Sequence, residues 1–251
     1  MEISKKLLIP FFTAGFPQLS STKEILENLS SVDADYVEIG LAHSDALADG
    51  PVIQSSSHIA LQNGMNIELL FNQISEIKTK ELKPKLILFS YYNPLLSYGL
   101  EKSCRLWKEA GGNSILVPDL PIEEADELKR ECAKNGLSLI FLVAPTSTEE
   151  RIKKIAKMST EFIYLVSVTG VTGVRETNKN DLSITIEQIK KYNPSIPVVI
   201  GFGIGDAQSA KQAIAQGADG VVIGSAIIKL LKDNELNEMT RLLLEIKKAI
   251  N

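Results

Sequence analysis

Cysteine, histidine and tryptophan are scarce: two, two and one in 251 residues. Cys104 and Cys132 are far apart and show no Cys-x-x-Cys spacing, so they read as a reduced pair rather than a metal or disulfide framework. Runs of positive charge are also missing. No stretch of Lys or Arg exceeds two residues and the net charge is −4, which argues against a nucleic-acid binder. No apolar run approaches the roughly 18 residues of a membrane span. Lys5-Lys6 followed by "LLIPFFTAGF" faintly resembles a signal peptide, but Pro10 interrupts it and no small-x-small cleavage site follows. It reads as a buried strand, and the expected location is the cytoplasm, with no membrane or nucleic-acid partner. Linkers rich in Pro, Ser or Gly, low-complexity tracts and composition breaks are absent too. Residues 1–251 therefore read as a single domain, long for one core but within the range of an α/β barrel.

What is present is a rhythm. Eight short apolar runs recur at 7–15, 35–41, 85–92, 114–120, 138–145, 162–168, 197–203 and 220–226. Each is nearly continuous rather than alternating, as a strand buried on both faces must be. Amphipathic stretches lie between them. "STKEILENLSS" opens with Ser21 and Glu24 at capping-box spacing. "IEEADELKRECAKNG" puts Ile122, Ala125, Leu128 and Cys132 on one face and stops at Gly136, while "DAQSAKQAIAQGADG" runs from an Asp206 cap to Gly217. Eight strands alternating with helices predict an α/β fold, a single (β/α)8 TIM barrel, with an open doubly wound sheet as the competing topology. The connection from strand 2 to strand 3 (42–84) has room for an extra helix in "GPVIQSSSHIALQNG".

Two ends of a site can be read from residues alone. Gly201, Gly203 and Gly205 follow strand 7, Gly224-Ser225 opens a short helix after strand 8, and Gly170, Thr172 and Gly173 follow strand 6. Loops after the last strands of a barrel often hold a phosphate on backbone N–H groups and a helix start. No Lys or Arg stands obviously on that phosphate, so backbone dipoles would carry it. The other end is acidic. Glu38 interrupts the apolar run "VEIG", where a carboxylate is costly unless it is paired or faces a pocket. Burial at a barrel rim would raise its pKa and suit it to proton transfer. A structural glutamate with satisfied partners is the alternative. Asp45 and Asp49, in "AHSDALADGP", read equally as turn residues or catalysts.

Seven segments in order then carry a resemblance: "PFFTAGFP" (10–17), "VEIG…SD.LADGPVIQ" (37–54), "SYYNPLL" (90–96), "PDLPIEE" (118–124), "GVTG" (170–173), "GFGI" (201–204) and "GSAII" (224–228). The chain resembles the tryptophan synthase α subunit over essentially its whole length. That resemblance implies a carbon–carbon lyase that splits indole-3-glycerol phosphate into indole and glyceraldehyde 3-phosphate. It implies no cofactor and no metal of its own, and a pyridoxal-phosphate β subunit as partner in an αββα heterotetramer. The family's catalytic carboxylates fall on Glu38 and Asp49, and its phosphate contacts on Gly173, Gly203, Gly224 and Ser225. Pocket walls fall on Phe11, Phe89, Tyr91, Tyr164, Thr172 and Phe202. Asp45 sits in the loop that touches the partner, and Asp119 would order a loop over the site.

One segment departs from the pattern. Where the family has Pro-aromatic-Ser-Asp-Pro, this chain reads "AHSDA", with Ala42 and Ala46 for the prolines and His43 for the aromatic. Lost prolines predict a more mobile loop and a less well placed Asp49. The departure leaves open a lyase that works without a β partner and a catalytically weak activator of that partner. A metal site at His43, Asp45 and Asp49 is a further alternative, though the implied reaction needs no metal and His43 reads better as a ring stacked at the rim.

Overall fold

A computed structural model of the chain describes residues 5–77, 82–166 and 182–251. Eight parallel strands close into a barrel in chain order. They are β1 (Leu7–Thr13), β2 (Tyr36–Gly40), β3 (Lys85–Phe89), β4 (Ser114–Leu116), β5 (Ser138–Val143), β6 (Ile163–Val166), β7 (Val198–Gly201) and β8 (Gly220–Ile223). The continuous apolar runs have the predicted cause, because strand residues are buried on both the inward and outward faces. The strands stop short of the ends of the runs. β4 ends at Leu116, two residues before Pro118, which has no N–H to give a ladder.

Among the described residues the helices are α1 (Ser21–Ser31), α2 (Pro51–Gln62), α3 (Ile67–Ile77), α4 (Tyr92–Tyr98), α5 (Leu100–Ala110), α6 (Asp126–Lys134), α7 (Glu149–Met158), α8 (Ser183–Tyr192), α9 (Ala207–Ala215), α10 (Ser225–Lys232) and α11 (Leu236–Ile250). The extra helix between strands 2 and 3 is α2, with Pro51 in its first turn. Asp206 caps α9 by accepting the Ser209 N–H at 2.7 Å, and Gly217 beyond it has φ +98. Gly136, φ +62, ends the α6 segment. The capping box expected at Ser21 and Glu24 does not form. Ser20 is already helical at the N-cap, and the Ser21 hydroxyl turns back to accept the Gln18 N–H at 3.2 Å.

The N-terminal face of the barrel is tied by carboxylates that precede strands. Asp35, just before β2, accepts the Leu8 N–H at 2.9 Å and Lys247 at 2.7 Å. Glu161, before β6, accepts Lys85 at 2.5 Å and the Tyr36 hydroxyl at 2.6 Å. Asp219, before β8, accepts the Val198 N–H at 2.9 Å and Lys190 at 2.6 Å. At the C-terminal face Glu38 and Asp49 have no lysine or arginine partner among the described residues, and there a cavity opens.

Candidate active site

A cavity of about 410 Å³ lies over the C-terminal ends of the strands. Phe11, Glu38 and Phe89, from β1, β2 and β3, line one side; Tyr164, Phe202 and Val222 line the other. Parallel register sets Phe11 beside Glu38 and Glu38 beside Ile87, so the carboxylate rises between an aromatic and an aliphatic neighbour. Phe11 packs edge-on against Phe89 with ring centroids 5.4 Å apart, and Tyr164 packs edge-on against Phe202 at 6.3 Å. These rings make a slot suited to a flat apolar ligand. Space for Phe11 comes from two glycines. A Cβ on Gly40 would stand 2.7 Å from its ring, and one on Gly224 would stand 3.3 Å away.

Glu38 is 1 % exposed, and its Oε1 has no hydrogen-bond partner among the described residues. Burial, and then the charge of Asp49, push its carboxyl up to about 8. Asp49 lines the same cavity from the loop after β2. Burial pushes it up to about 6, against the Tyr91 hydroxyl, which donates to its Oδ2 at 3.0 Å. At neutral pH the first is therefore a protonated acid and the second a carboxylate. Two carboxyl groups tuned apart by their surroundings can give a proton and stabilise a positive charge in one site.

The loop that carries Asp49 is stitched down. The Tyr91 hydroxyl also accepts the Ala48 N–H at 2.9 Å. Gln54, on α2, donates to the Ala46 carbonyl at 3.1 Å and the Asp49 carbonyl at 2.9 Å. His43 packs on Tyr91 with ring centroids 5.3 Å apart, and Asp45 accepts the Ser44 hydroxyl at 2.7 Å. Among the described residues no group of three or more His, Cys, Asp or Glu side chains could hold a metal ion. Tyr91, expected as a pocket wall, does not line the cavity; it lies beneath the loop and holds Asp49. Asp119 accepts the Tyr92 N–H at 2.9 Å, which joins the loop after β4 to the start of α4.

At the far end Gly203, Gly205, Gly224 and Ser225 line the cavity. Phe202 and Gly203 both have left-handed φ, 73 and 76, and this turns the chain over the cavity. The two helix starts here differ. The α9 start is closed by Asp206 and Ser209. Among the described residues no side chain caps α10, whose first intrahelical bond runs from the Ile228 N–H to the Gly224 carbonyl at 3.0 Å. The amides before it are the donors an anion would take. Lys229 also lines the cavity, contrary to the expectation of a phosphate end without a cation. Ile53 and Ile204 are further lining residues that the sequence did not single out, and Asp206, expected only as a helix cap, lines the cavity too. Thr172 and Gly173 lie outside the described residues.

The chain's likeness to known proteins agrees with this geometry. The family profile described as "Tryptophan synthase alpha chain" matches residues 1–250. The tryptophan synthase alpha chain of Synechococcus elongatus is 40% identical over 244 residues, which cover 97% of this chain and 91% of that one. That of Arabidopsis thaliana is 42% identical over 234 residues, 93% and 84% of the two chains. Among solved structures, tryptophan synthase subunit alpha from Legionella pneumophila superposes with a TM-score of 0.87 at 31% identity, covering 98% of this chain and 92% of that one.

Proposed function

As the chain belongs to the tryptophan synthase alpha chain family, it is a lyase of the alpha reaction, and we propose that the cavity over Glu38 and Asp49 is where it cleaves indole-3-glycerol phosphate. The observation that carries this reading is a buried carboxyl with an unpartnered oxygen, opening into an aromatic slot that ends at an uncapped helix start.

The chemistry follows from the protonation states. Indole leaves poorly as a carbanion, so C3 must first take a proton. Neutral Glu38 gives that proton, and positive charge grows on the ring nitrogen. The Asp49 carboxylate accepts the ring N–H and stabilises that charge. Glu38, now a carboxylate, takes the proton of the glyceryl hydroxyl as the C3–carbon bond breaks. The bonding pair returns to the ring, the hydroxyl becomes the aldehyde of glyceraldehyde 3-phosphate, and Glu38 is neutral again. Phe11, Phe89, Tyr164 and Phe202 hold the ring flat, and the loops at Gly203, Gly224 and Ser225 hold the phosphate; family resemblance assigns Gly173 to the phosphate and Thr172 to the pocket wall. No cofactor is needed in this sequence of steps; pyridoxal phosphate belongs to the β partner.

The β subunit docks, in this reading, on the rim that carries Asp45. Leu47 is 87 % exposed in the same loop and Leu96, on α4, is also exposed, two apolar side chains suited to burial against a partner in an αββα assembly. No helix among the described residues is long and apolar enough to cross a membrane, and a cytoplasmic location goes with the reading. Indole release from indole-3-glycerol phosphate, measured with and without a β subunit, tests it. A folded chain that releases no indole under either condition overturns it.

A further inference from the structure

Lys229 is the only Lys or Arg among the described residues that line the cavity, and it stands at the phosphate end. It follows Ser225 by four residues in α10, so the two side chains leave the same face of the helix one turn apart. Its ammonium makes no hydrogen bond or ion pair with any described residue. That sets it apart from Lys85, Lys190 and Lys247, each committed to a carboxylate. Asp206 lines the same end, but its carboxylate is taken by the Ser209 N–H at 2.7 Å and the Ser209 hydroxyl at 2.8 Å. An independent mark of a ligand in this cavity is the buried, unpartnered Glu38 oxygen at its other end.

We propose that Lys229 is a specificity-determining residue whose ammonium pairs with the phosphate ester of the substrate beside the α10 amides. This rests on the reading of the cavity as the indole-3-glycerol phosphate site. Helix-start amides offer only about half a positive charge. A phosphate monoester carries about −1.5 to −2 at pH 7. The amides fix where the phosphate sits, and Lys229 supplies charge they lack. A lysine on a solvent-facing stem does this as a mobile point charge, screened by salt, so its effect is selective rather than absolute.

The test uses the full chain and its Lys229→Met, Lys229→Arg and Gly224→Val variants. Titration calorimetry gives Kd for glycerol 3-phosphate. Steady-state kinetics gives kcat and KM for indole release from indole-3-glycerol phosphate and from its dephosphorylated counterpart. Lys229→Met should raise Kd and KM about tenfold, equivalent to about 1.4 kcal/mol. KM should rise more than kcat falls, the loss should be confined to the phosphorylated substrate and shrink with added salt, and Lys229→Arg should recover most of it. Unchanged Kd in a folded Lys229→Met chain overturns the proposal, as does equal loss on both substrates. If Gly224→Val weakens glycerol phosphate binding while Lys229→Met does not, the proposal fails and the phosphate reading stands. If neither variant changes it, both fail.

Discussion

Carboxylates stand at both ends of the barrel, and the two ends treat them oppositely. At the N-terminal face Asp35, Glu161 and Asp219 each meet a lysine and further donors. Burial works against ionisation of Asp35, but Lys247, the Leu8 N–H and Lys5 outweigh it and hold the carboxyl below its usual range. Glu161 is likewise held down by Lys85 and Tyr36 against its burial. At the C-terminal face Glu38 and Asp49 have no cationic partner among the described residues, and burial pushes both up. The same chemical group thus locks the structure at one face and keeps a usable proton at the other. That division matches the general pattern of these barrels, with stability at the bottom and chemistry at the top.

Glu38→Gln breaks the comparison hardest. It keeps the shape of the side chain and removes its proton chemistry, so indole release should fall by at least roughly 10²–10⁴-fold while glycerol phosphate still binds. Stability should move the other way. The carboxyl is raised from 4.5 to about 8, so between those values the unfolded chain has lost a proton that the folded chain keeps. The folded state therefore loses stability as pH rises through that window, by at most ~1.4 kcal/mol per pH unit. Gln escapes this loss. Urea unfolding at pH 5 and pH 8 should show the variant gaining on the parent at the higher pH. A variant with a tenth or more of parental turnover removes Glu38 as the acid.

Asp49→Asn should cost about 10²-fold, because an amide cannot offset a positive indole ring. It also sharpens the coupling between the two carboxyls. With Asp49 ionised and Glu38 protonated in the working state, kcat/KM should form a bell, falling below about 6 and above about 8. Removing the Asp49 charge removes one cause of the raised Glu38 value, so the alkaline limb of the residual activity should move to lower pH. A limb that stays in place shows that burial alone sets Glu38.

Asp35→Asn probes the opposite face. It weakens a carboxylate that accepts the Leu8 N–H and two lysines. Loss of charge-assisted bonds there should destabilise the chain by about 1.5–3 kcal/mol at pH 7, with kcat unchanged. The sign reverses that of Glu38. A depressed carboxyl contributes stability above its unfolded value of 3.8, and the contribution is lost as pH falls through the lower folded value. Parent and variant should therefore converge in acid. A drop in kcat would mean that the two faces are not independent.

Tyr91→Phe acts on the contact that separates the two upper carboxyls. The Tyr91 hydroxyl holds Asp49 down against burial and also accepts the Ala48 N–H. Its loss should shift the acid limb upward by less than about one pH unit and lower activity several-fold, within about 1.4 kcal/mol. An unmoved acid limb assigns Tyr91 to packing alone.

Much of this was legible in the sequence, for identifiable reasons. All eight strands were visible because burial on both faces leaves an unbroken apolar run. Glu38 was visible because a carboxylate in such a run needs an explanation. Asp49 carried no signal of its own and came from family resemblance. Tyr91 came as a wall from family resemblance, and its hold on Asp49 was not legible because that bond spans 42 positions and no local pattern records such a contact. Gln54 was missed although its bonds span only 8 and 5 positions, because a glutamine in the first turn of a helix carries no spacing signal for a backbone carbonyl. Lys229 was missed because a lysine on an amphipathic helix looks like any solvated lysine until the fold places it over a cavity. Ser21 and Glu24 misled because capping-box spacing does not fix where a helix starts.

The smallest effect belongs to the loop that joins the two upper carboxyls. Ala42 and Ala46 replace the usual prolines, and the lost restraint costs about 0.4–1 kcal/mol at each compatible site. Acting alone on a free loop, two such losses would lower its ordered population several-fold. This loop is not free. Gln54 holds the Ala46 and Asp49 carbonyls, Tyr91 holds the Ala48 N–H and the Asp49 side chain, and the Asp49 N–H returns to the Ala46 carbonyl at 3.1 Å. Ala42 and Ala46 are themselves buried, so added ring atoms must find space among packed neighbours. A loop already ordered by these bonds has little population left to gain. Ala42→Pro, His43→Phe and Ala46→Pro together should therefore raise indole release by the isolated chain less than about twofold, because restraint on the unfolded ensemble adds little once tertiary contacts fix the folded loop. Gln54→Ala, which removes two of the tethers, should lower release more than the triple variant raises it. Steady-state kinetics of both beside the parent, without a β subunit, decides the point. A rise of about fivefold or more in the triple variant, worth about 1 kcal/mol, would mean that backbone restraint, not the Gln54 and Tyr91 bonds, limits how often Asp49 is in place.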